Sequence, residues 1–170
     1  MKCFYPYEYV EDVFSIDYQA LREKGFKGLI FDIDNTLVPH GADSTEQVDA
    51  LFAKLNSMGF ITLLLSNNNR GRIERFAKNI NTLYIEEAGK PHPDCYLKAV
   101  EKMGLRNDEV LVIGDQLFTD IFGANRSHLP SILVKYIGFY KKEKKGIRRN
   151  LEKIVLWFYS HSKCQHRLFH

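Results

Sequence analysis

The stretch Lys27-Gly28-Leu29-Ile30-Phe31-Asp32-Ile33-Asp34-Asn35-Thr36-Leu37 joins an apolar run to two closely spaced carboxylates. Residues 29–31 are apolar without a break, which predicts a buried β-strand. Asp32 and Asp34 follow at alternate positions, and in an extended segment such positions project to the same side. Because ligands bind at the carboxyl ends of strands in open parallel sheets, these acids predict a site at that edge.

The two carboxylates need a counter-charge if they face one small volume. Two anionic groups held close together repel each other unless a cation or a shared proton relieves them. A hard divalent cation that prefers oxygen ligands, such as Mg²⁺, is the expected partner. Asp-x-Asp alone is weak evidence, since two acids can simply end a strand in a polar loop.

Further apolar runs along the chain also end in polar residues. Strands are predicted over residues 29–31, 60–65, 82–85, 109–113 and 131–134. The polar residues that follow the middle three are Ser66 with Asn67, Lys90, and Asp115 with Asp120. Because helical patterns separate the strands, the alternation predicts an α/β protein with a central parallel sheet flanked by helices.

The order of these polar residues resembles the four motifs of the haloacid dehalogenase (HAD) superfamily. The matching positions are Asp32, Asp34 and Thr36, then Ser66, then Lys90, then Asp115 and Asp120. The first and fourth motifs are most similar to the YqeG-type subfamily of subclass IIIA, which resembles mitochondrial phosphatidylglycerophosphate phosphatases. Over residues 27–135 the resemblance implies a Rossmann-like HAD fold and a phosphatase. Short connections at both usual insertion points leave no room for a cap domain, so a capless enzyme is expected.

The resemblance also implies a role for each position. Asp32 would attack phosphorus and form an aspartyl-phosphate, while Asp34 would protonate the leaving alcohol and then activate water. Thr36 would fix the loop that aims Asp34. The implied phosphate ligands are Ser66, Asn67 and Lys90, with Lys90 also counted as catalytic. The implied Mg²⁺ ligands are Asp32, Asp34 through its backbone carbonyl, Asp115 and, directly or by orienting the others, Asp120.

Composition and charge indicate one globular unit. The chain has 170 residues, 45% of them hydrophobic, and a formal charge of +3, which suits a single domain with a real core. Three scattered cysteines favour a reducing cytosol. No signal peptide is expected, and no apolar run approaches the ~20 residues that a membrane-spanning helix needs.

Both ends of the chain differ from its middle. We expect an aromatic-rich arm over residues 1–26, a phosphatase core over 27–140 and a basic, amphipathic helical tail over 141–170, all in one domain. Residues 141–149 hold four Lys and two Arg against one Glu, and apolar residues follow at helical spacing. The tail either docks on the sheet with a solvated basic face or attaches to an anionic membrane surface.

Three functions of different classes remain open at this point. The first is a phosphatase for a lipid phosphomonoester, with phosphatidylglycerophosphate as the leading candidate, peripheral to the inner face of a membrane. The second is a soluble cytoplasmic phosphatase for a metabolite or phosphoprotein. The third is a non-catalytic module that binds RNA or a ribosome. The filled catalytic positions argue against the third, and a basic run without strand-borne aromatics gives little support for nucleic acid as a partner. The sequence does not predict the oligomeric state.

Overall fold

The computed structural model of the protein describes residues 2–137, 147–162, 164–165 and 167–169. The strands are β1 (Glu8–Val10), β2 (Gly28–Phe31), β3 (Ile61–Leu65), β4 (Leu83–Ile85), β5 (Val110–Gly114) and β6 (Ser131–Val134). The α-helices are α1 (Tyr18–Glu23), α2 (Glu46–Ser57), α3 (Arg70–Phe76), α4 (Pro93–Met103), α5 (Phe122–Arg126) and α6 (Ile147–Ser160). A π-helical turn, Leu117–Ile121, precedes α5.

One parallel sheet organises the molecule, with strand order β1-β6-β5-β2-β3-β4. Every pairing between neighbouring strands is parallel. The strand that carries Asp32 and Asp34 at its end, β2, lies between β3 and β5 near the centre. This arrangement confirms the predicted central parallel sheet, and it brings the polar residues after β2, β3 and β5 to one edge.

Apolar layers cover both faces of the sheet. Leu29 and Phe31 of β2 belong to the cluster that also holds the inward residues of α1, α2 and α3. Ile30 projects to the opposite face, into a cluster with residues of α4 and α5. All three β2 side chains are fully buried. A strand buried on both faces has no polar positions of its own, which explains its continuous apolar run.

The described part of the aromatic-rich N-terminal segment, residues 2–26, contributes side chains to this core. Its strand β1, which the sequence did not suggest, pairs with β6 at the edge of the sheet. Tyr5 and Tyr18 are buried, whereas Phe14 stays exposed. Three residues of strand are too few to show a periodic pattern, so only the pairing with β6 defines this element.

The connections that follow β2 and β4 at the carboxyl ends of the strands are short, as the sequence indicated. Residues 32–45, between β2 and α2, form turns and one isolated bridge between Asp34 and Val38. Residues 86–92, between β4 and α4, contain only bends and turns. Within these two described connections there is no inserted domain, so nothing folds over the carboxyl ends of β2 and β3 from either one.

The C-terminal helix α6 packs on the domain with one face. Val155 and Leu156 contact the buried cluster of Leu117, Ile121 and Leu133. The opposite face carries large apolar side chains that are 41% to 58% exposed; we call it the apolar ridge, and it consists of Leu151, Ile154, Trp157 and Phe158. Most of the predicted basic run lies outside the described residues. Among the described residues, no helix has the length and apolar character needed to cross a membrane.

Candidate active site

Lys90 links two of the carboxylates that follow different strands. Its ammonium group lies 2.5 Å from Asp32 Oδ1 and 2.8 Å from Asp120 Oδ1, and its side chain is only 5% exposed. Burial alone would lower the pKa of Lys90, but the charges of Asp120 and Asp32 outweigh it and raise this pKa well above the ordinary value. Lys90 is therefore a fixed positive charge beside Asp32.

The loop after β3 holds the backbone of Lys90 in place. Asn67 Oδ1 accepts a hydrogen bond from the Lys90 N–H at 2.9 Å, and Asn67 Nδ2 donates to the Lys90 carbonyl at 3.4 Å. Helix α4 then begins at Pro93, whose fixed φ suits the first helical turn. Ser66 is buried, and its hydroxyl oxygen accepts hydrogen bonds from the backbone and side-chain nitrogens of Asn68.

Three buried acids lie together at this edge. Asp32, Asp115 and Asp120 each offer a carboxylate oxygen, and these oxygens lie within 4.8 Å of one another. The Thr36 hydroxyl lies between two of them, 3.4 Å from both Asp32 Oδ2 and Asp115 Oδ1. Burial raises the pKa of Asp32 to about 6, although the charge of Lys90 opposes the rise.

This donor set fits a hard divalent cation. Burying a charged side chain costs free energy unless the charge is paired, and Lys90 shares its single positive charge between Asp32 and Asp120. Carboxylate oxygens are the ligands that Mg²⁺ prefers. A cation beside Asp32 would also favour its charged form, against the effect of burial. The clustered acids therefore fit the chemistry of a site for a divalent cation.

A close approach between two motif residues sets the position of Asp120. A side chain at Gly114 would place its Cβ 2.5 Å from the carboxyl carbon of Asp120, so only glycine leaves room. Asp120 Oδ2 also accepts a hydrogen bond from the Gln116 N–H at 3.1 Å. Asp120 lies within the π-helical turn. Such turns are rare in proteins overall, and those that occur are frequently found at functional sites.

Asp34 has a different set of partners from Asp32. Its Oδ1 accepts hydrogen bonds from the Gly41 N–H at 2.9 Å and from Arg72 Nη2 at 3.1 Å, and its Oδ2 accepts one from Asn68 Nδ2 at 2.6 Å. Burial alone would raise the pKa of Asp34, but these hydrogen bonds hold it below the ordinary value. These contacts therefore favour the carboxylate form of Asp34.

The predicted residues thus form two neighbouring groups. The residues that share direct contacts around the acids are Asp32, Thr36, Lys90, Asp115 and Asp120. Ser66 and Asn67 lie next to this group in the loop after β3, where Asn67 contacts the Lys90 backbone. The Asp34 carboxylate forms the second group, with Asn68 and Arg72. Sequence reasoning did not assign these last two residues. The only signals for them were the asparagine run 67–69 and the Arg-Gly-Arg that opens α3.

Replacing Lys90 with Met is expected to lower the free energy of unfolding by about 3–5 kcal/mol at neutral pH, because two buried carboxylates lose their shared cation. Urea unfolding followed by circular dichroism measures the change. Added Mg²⁺ should restore part of the loss, since it would bind only the folded protein. Lys98, an exposed residue of α4, supplies the control: Lys98→Met should change stability by less than about 0.5 kcal/mol. A metal-free Lys90→Met protein as stable as the unaltered chain would contradict this charge balance.

Comparison with known proteins places this site in a family. The sequence model of the haloacid dehalogenase-like hydrolases matches residues 42–128. The probable phosphatase YqeG of Bacillus subtilis is 34% identical over 155 residues, which cover 88% of this chain and 90% of that protein. The chloroplastic/mitochondrial phosphatidylglycerophosphate phosphatase 1 of Arabidopsis thaliana is 28% identical over 165 residues. That alignment covers 89% of this chain and 46% of the plant protein.

Solved structures show the same fold. The crystal structure of a predicted phosphoglycolate phosphatase from Haemophilus somnus superposes with a TM-score of 0.56 and 15% sequence identity. The superposition covers 77% of this chain and 98% of that one. The near-complete coverage of the other chain means that the central sheet and its flanking helices are shared as one architecture.

Proposed function

Because the chain belongs to the haloacid dehalogenase-like hydrolases and is a phosphatase of that family, we propose that it hydrolyses phosphate monoesters with Asp32 as the nucleophile. The observation that carries this proposal is the buried Asp32 carboxylate, held by Lys90 at 2.5 Å within a cluster of acids. Attack by a carboxylate oxygen on phosphorus gives an aspartyl-phosphate and releases the alcohol. Water then attacks this intermediate, releases inorganic phosphate and regenerates Asp32.

The proposed cofactor is Mg²⁺. Asp32, Asp115 and Asp120 would hold it, together with the backbone carbonyl of Asp34. When bound, the ion neutralises charge on the carboxylates and the phosphoryl group. Burial raises the pKa of Asp32 to about 6 in the metal-free protein, and only the deprotonated carboxylate can attack.

Lys90 and Asp34 would divide the remaining chemistry. Lys90 carries a fixed charge next to the nucleophile, where it can stabilise the equatorial phosphoryl oxygens, and Ser66 and Asn67 would assist it from the β3 loop. Asp34 would act as general acid with a proton taken up together with the bound phosphate monoester monoanion, and then as general base. Its hydrogen bonds with Asn68 and Arg72 favour the carboxylate, which is the form that removes a proton from the attacking water.

We propose a lipid phosphomonoester as the substrate class, with the enzyme in the cytoplasm and attached peripherally to the inner face of a membrane. Phosphatidylglycerophosphate is the first candidate, since one relative is named as a phosphatase for it. The short connections after β2 and β4 also support a substrate too large to be enclosed. The three free cysteines suit a reducing compartment.

Phosphate release by the purified full-length protein tests the function and the substrate class together. We expect hydrolysis of phenyl phosphate that stops with a chelator and returns with Mg²⁺. Phosphatidylglycerophosphate in vesicles should then react with a higher kcat/KM than phenyl phosphate. Hydrolysis of phenyl phosphate with none of the lipid would favour a soluble metabolite or phosphoprotein instead. Release from neither substrate, at any metal concentration, would contradict the catalytic proposal.

A further inference from the structure

A pocket opens beside Lys90 and the acids that it contacts. The C-terminal helix α6 forms part of the wall of this pocket. The pocket volume is about 490 Å³, and its lining residues are Asn67, Lys90, Pro91, Phe118, Thr119 and Leu151. Lys90, which holds Asp32, lies in this wall. Phe118, Pro91 and Leu151 give the pocket an apolar side. A phosphate monoester whose phosphoryl group reacts at Asp32 would therefore place its organic part against an apolar surface.

The apolar side of the pocket continues onto the outside of the molecule. Leu151 is also the first residue of the apolar ridge, and Ile154, Trp157 and Phe158 follow it at helical spacing along one stripe of α6. All four side chains are exposed. Contiguous exposed apolar surface of this kind marks interaction sites in proteins that fold properly.

The inward face of α6 fixes this orientation of the helix. Glu152 is buried, and its carboxylate accepts a hydrogen bond from the Leu117 N–H at 3.3 Å. Tyr159, two turns further on, is also buried. A helix that buries a glutamate and exposes a tryptophan does not follow the usual rule of apolar residues inside. The hydrogen bond to Leu117 and the packing of Val155 and Leu156 join the inner face of α6 to the π-helical turn that carries Asp120, and the ridge lies on the other side of the helix.

We propose that α6 is a lipid-facing element whose apolar ridge docks on an anionic membrane, so that the pocket receives the apolar part of a phosphate monoester between Phe118 and Leu151. This inference rests on the proposed phosphatase function. It adds a docking surface and a subsite, and it names their ligand as the hydrocarbon of an amphiphile.

Charge favours a lipid surface over a second copy of the chain. The residues immediately before the ridge, 141–149, hold four Lys and two Arg against one Glu. In a symmetric dimer the same patch meets itself, so these like charges would approach each other. An anionic leaflet instead attracts a basic segment next to an interfacial helix. Trp157 also suits the headgroup region, where amphipathic aromatic rings concentrate.

Two isoleucines provide a matched test of the docking surface. Ile154 lies on the ridge, and Ile61 is a similarly exposed isoleucine at the start of β3, at the opposite edge of the sheet from the site. In flotation assays with vesicles of phosphatidylglycerol and phosphatidylcholine, the full-length protein should bind. Ile154→Ser should weaken binding about tenfold or more, whereas Ile61→Ser should not. Vesicles of phosphatidylcholine alone should bind less of every protein.

The subsite is tested with two soluble substrates, phenyl phosphate and monomeric decyl phosphate. In Leu151→Ser, the ratio of kcat/KM for decyl phosphate to that for phenyl phosphate should fall about tenfold, as expected for one lost apolar contact. In Ile61→Ser the ratio should stay unchanged. Circular dichroism confirms that each variant is folded, and the absence of phenyl phosphate activity in the unaltered protein would contradict the phosphatase function rather than the subsite.

Two results would overturn the inference. One is a Leu151→Ser protein in which the ratio of kcat/KM for decyl phosphate to that for phenyl phosphate is unchanged. This result would show that Leu151 forms no subsite for the hydrocarbon. The other is an Ile154→Ser protein that floats with vesicles like the unaltered chain. If light scattering also showed that this variant had become a smaller oligomer, the ridge would be a contact between copies of the chain.

Discussion

Replacing Asp32 with Asn is expected to lower kcat on phenyl phosphate by about 10⁴-fold or more, the scale seen when an enzyme loses its nucleophile. An amide cannot attack phosphorus, and it carries no negative charge to pair with the Lys90 ammonium group. The fold should survive, because Asn has nearly the shape of Asp and removing one buried charge relieves the repulsion among the acids. Steady-state phosphate release with saturating Mg²⁺ measures the effect.

Asp43→Asn supplies the matched control for that experiment. Asp43 lies in the same connection after β2, but its side chain is exposed and pairs with Arg75 at the surface. The same chemical change there should leave kcat within about twofold, as for most surface substitutions. A purified Asp32→Asn protein that keeps full turnover would contradict the assignment of the nucleophile.

Replacing Asp34 with Asn is expected to lower kcat by about 10²–10⁴-fold with a poor leaving group, the usual contribution of a general acid–base residue. The leaving alcohol of an alkyl phosphate needs a proton, and an amide cannot supply one. A nitrophenolate leaves without protonation, so the first step should lose much less rate with p-nitrophenyl phosphate. Single-turnover measurements of alcohol release separate this step from the later attack by water.

The control for Asp34 is a partner that holds it without contributing a proton. Arg72→Lys keeps the positive charge but loses the guanidinium hydrogen bond from Nη2 to Asp34 Oδ1. We expect a smaller loss from this variant, of similar size for good and poor leaving groups, because the proton donor is still present. Equal losses for both leaving groups in Asp34→Asn would show that Asp34 does not protonate the alcohol.

The sheet and the acidic cluster were predictable because they depend on local patterns. An unbroken apolar run marks β2, and the polar residues after successive parallel strands must meet at one edge. Lys90, Asp32 and Asp120 come from separate strand ends, and the structure joins them through two ion pairs. The order of strands and of the polar residues after them was therefore sufficient to predict that Asp32, Lys90 and Asp120 lie close together.

The surroundings of Asp34 were not predictable in the same way. Its contacts with Arg72 and Asn68 depend on how α3 leaves the sheet and on the turn at Asn35, which has a left-handed φ of 66°. Alternation along a strand places Asp32 and Asp34 on the same side, but the chain turns directly after β2. The sequence shows which side chains follow β2. The partners of Asp34 depend on the turn at Asn35, which the sequence pattern does not predict.

The orientation of α6 was also beyond the sequence pattern. Periodicity shows an apolar stripe, but it left open whether the stripe packs on the sheet or attaches to a membrane. In the structure, the inner face holds Glu152, which accepts a hydrogen bond from the Leu117 N–H, together with Val155 and Leu156, and the apolar ridge faces outward. Only the tertiary contact distinguishes a helix that packs with its apolar stripe from one that displays it.

The central claim, that Asp32 carries the phosphoryl group, is tested most directly by acid-quenching Asp34→Asn during reaction with p-nitrophenyl phosphate. This leaving group departs without help, whereas the attack by water lacks its general base, so the intermediate should accumulate. Mass spectrometry of the quenched protein should find one added phosphoryl group, and peptide mapping should place it on Asp32. Continued release of nitrophenolate with no phosphorylated protein, or a phosphoryl group on another residue, would contradict the account.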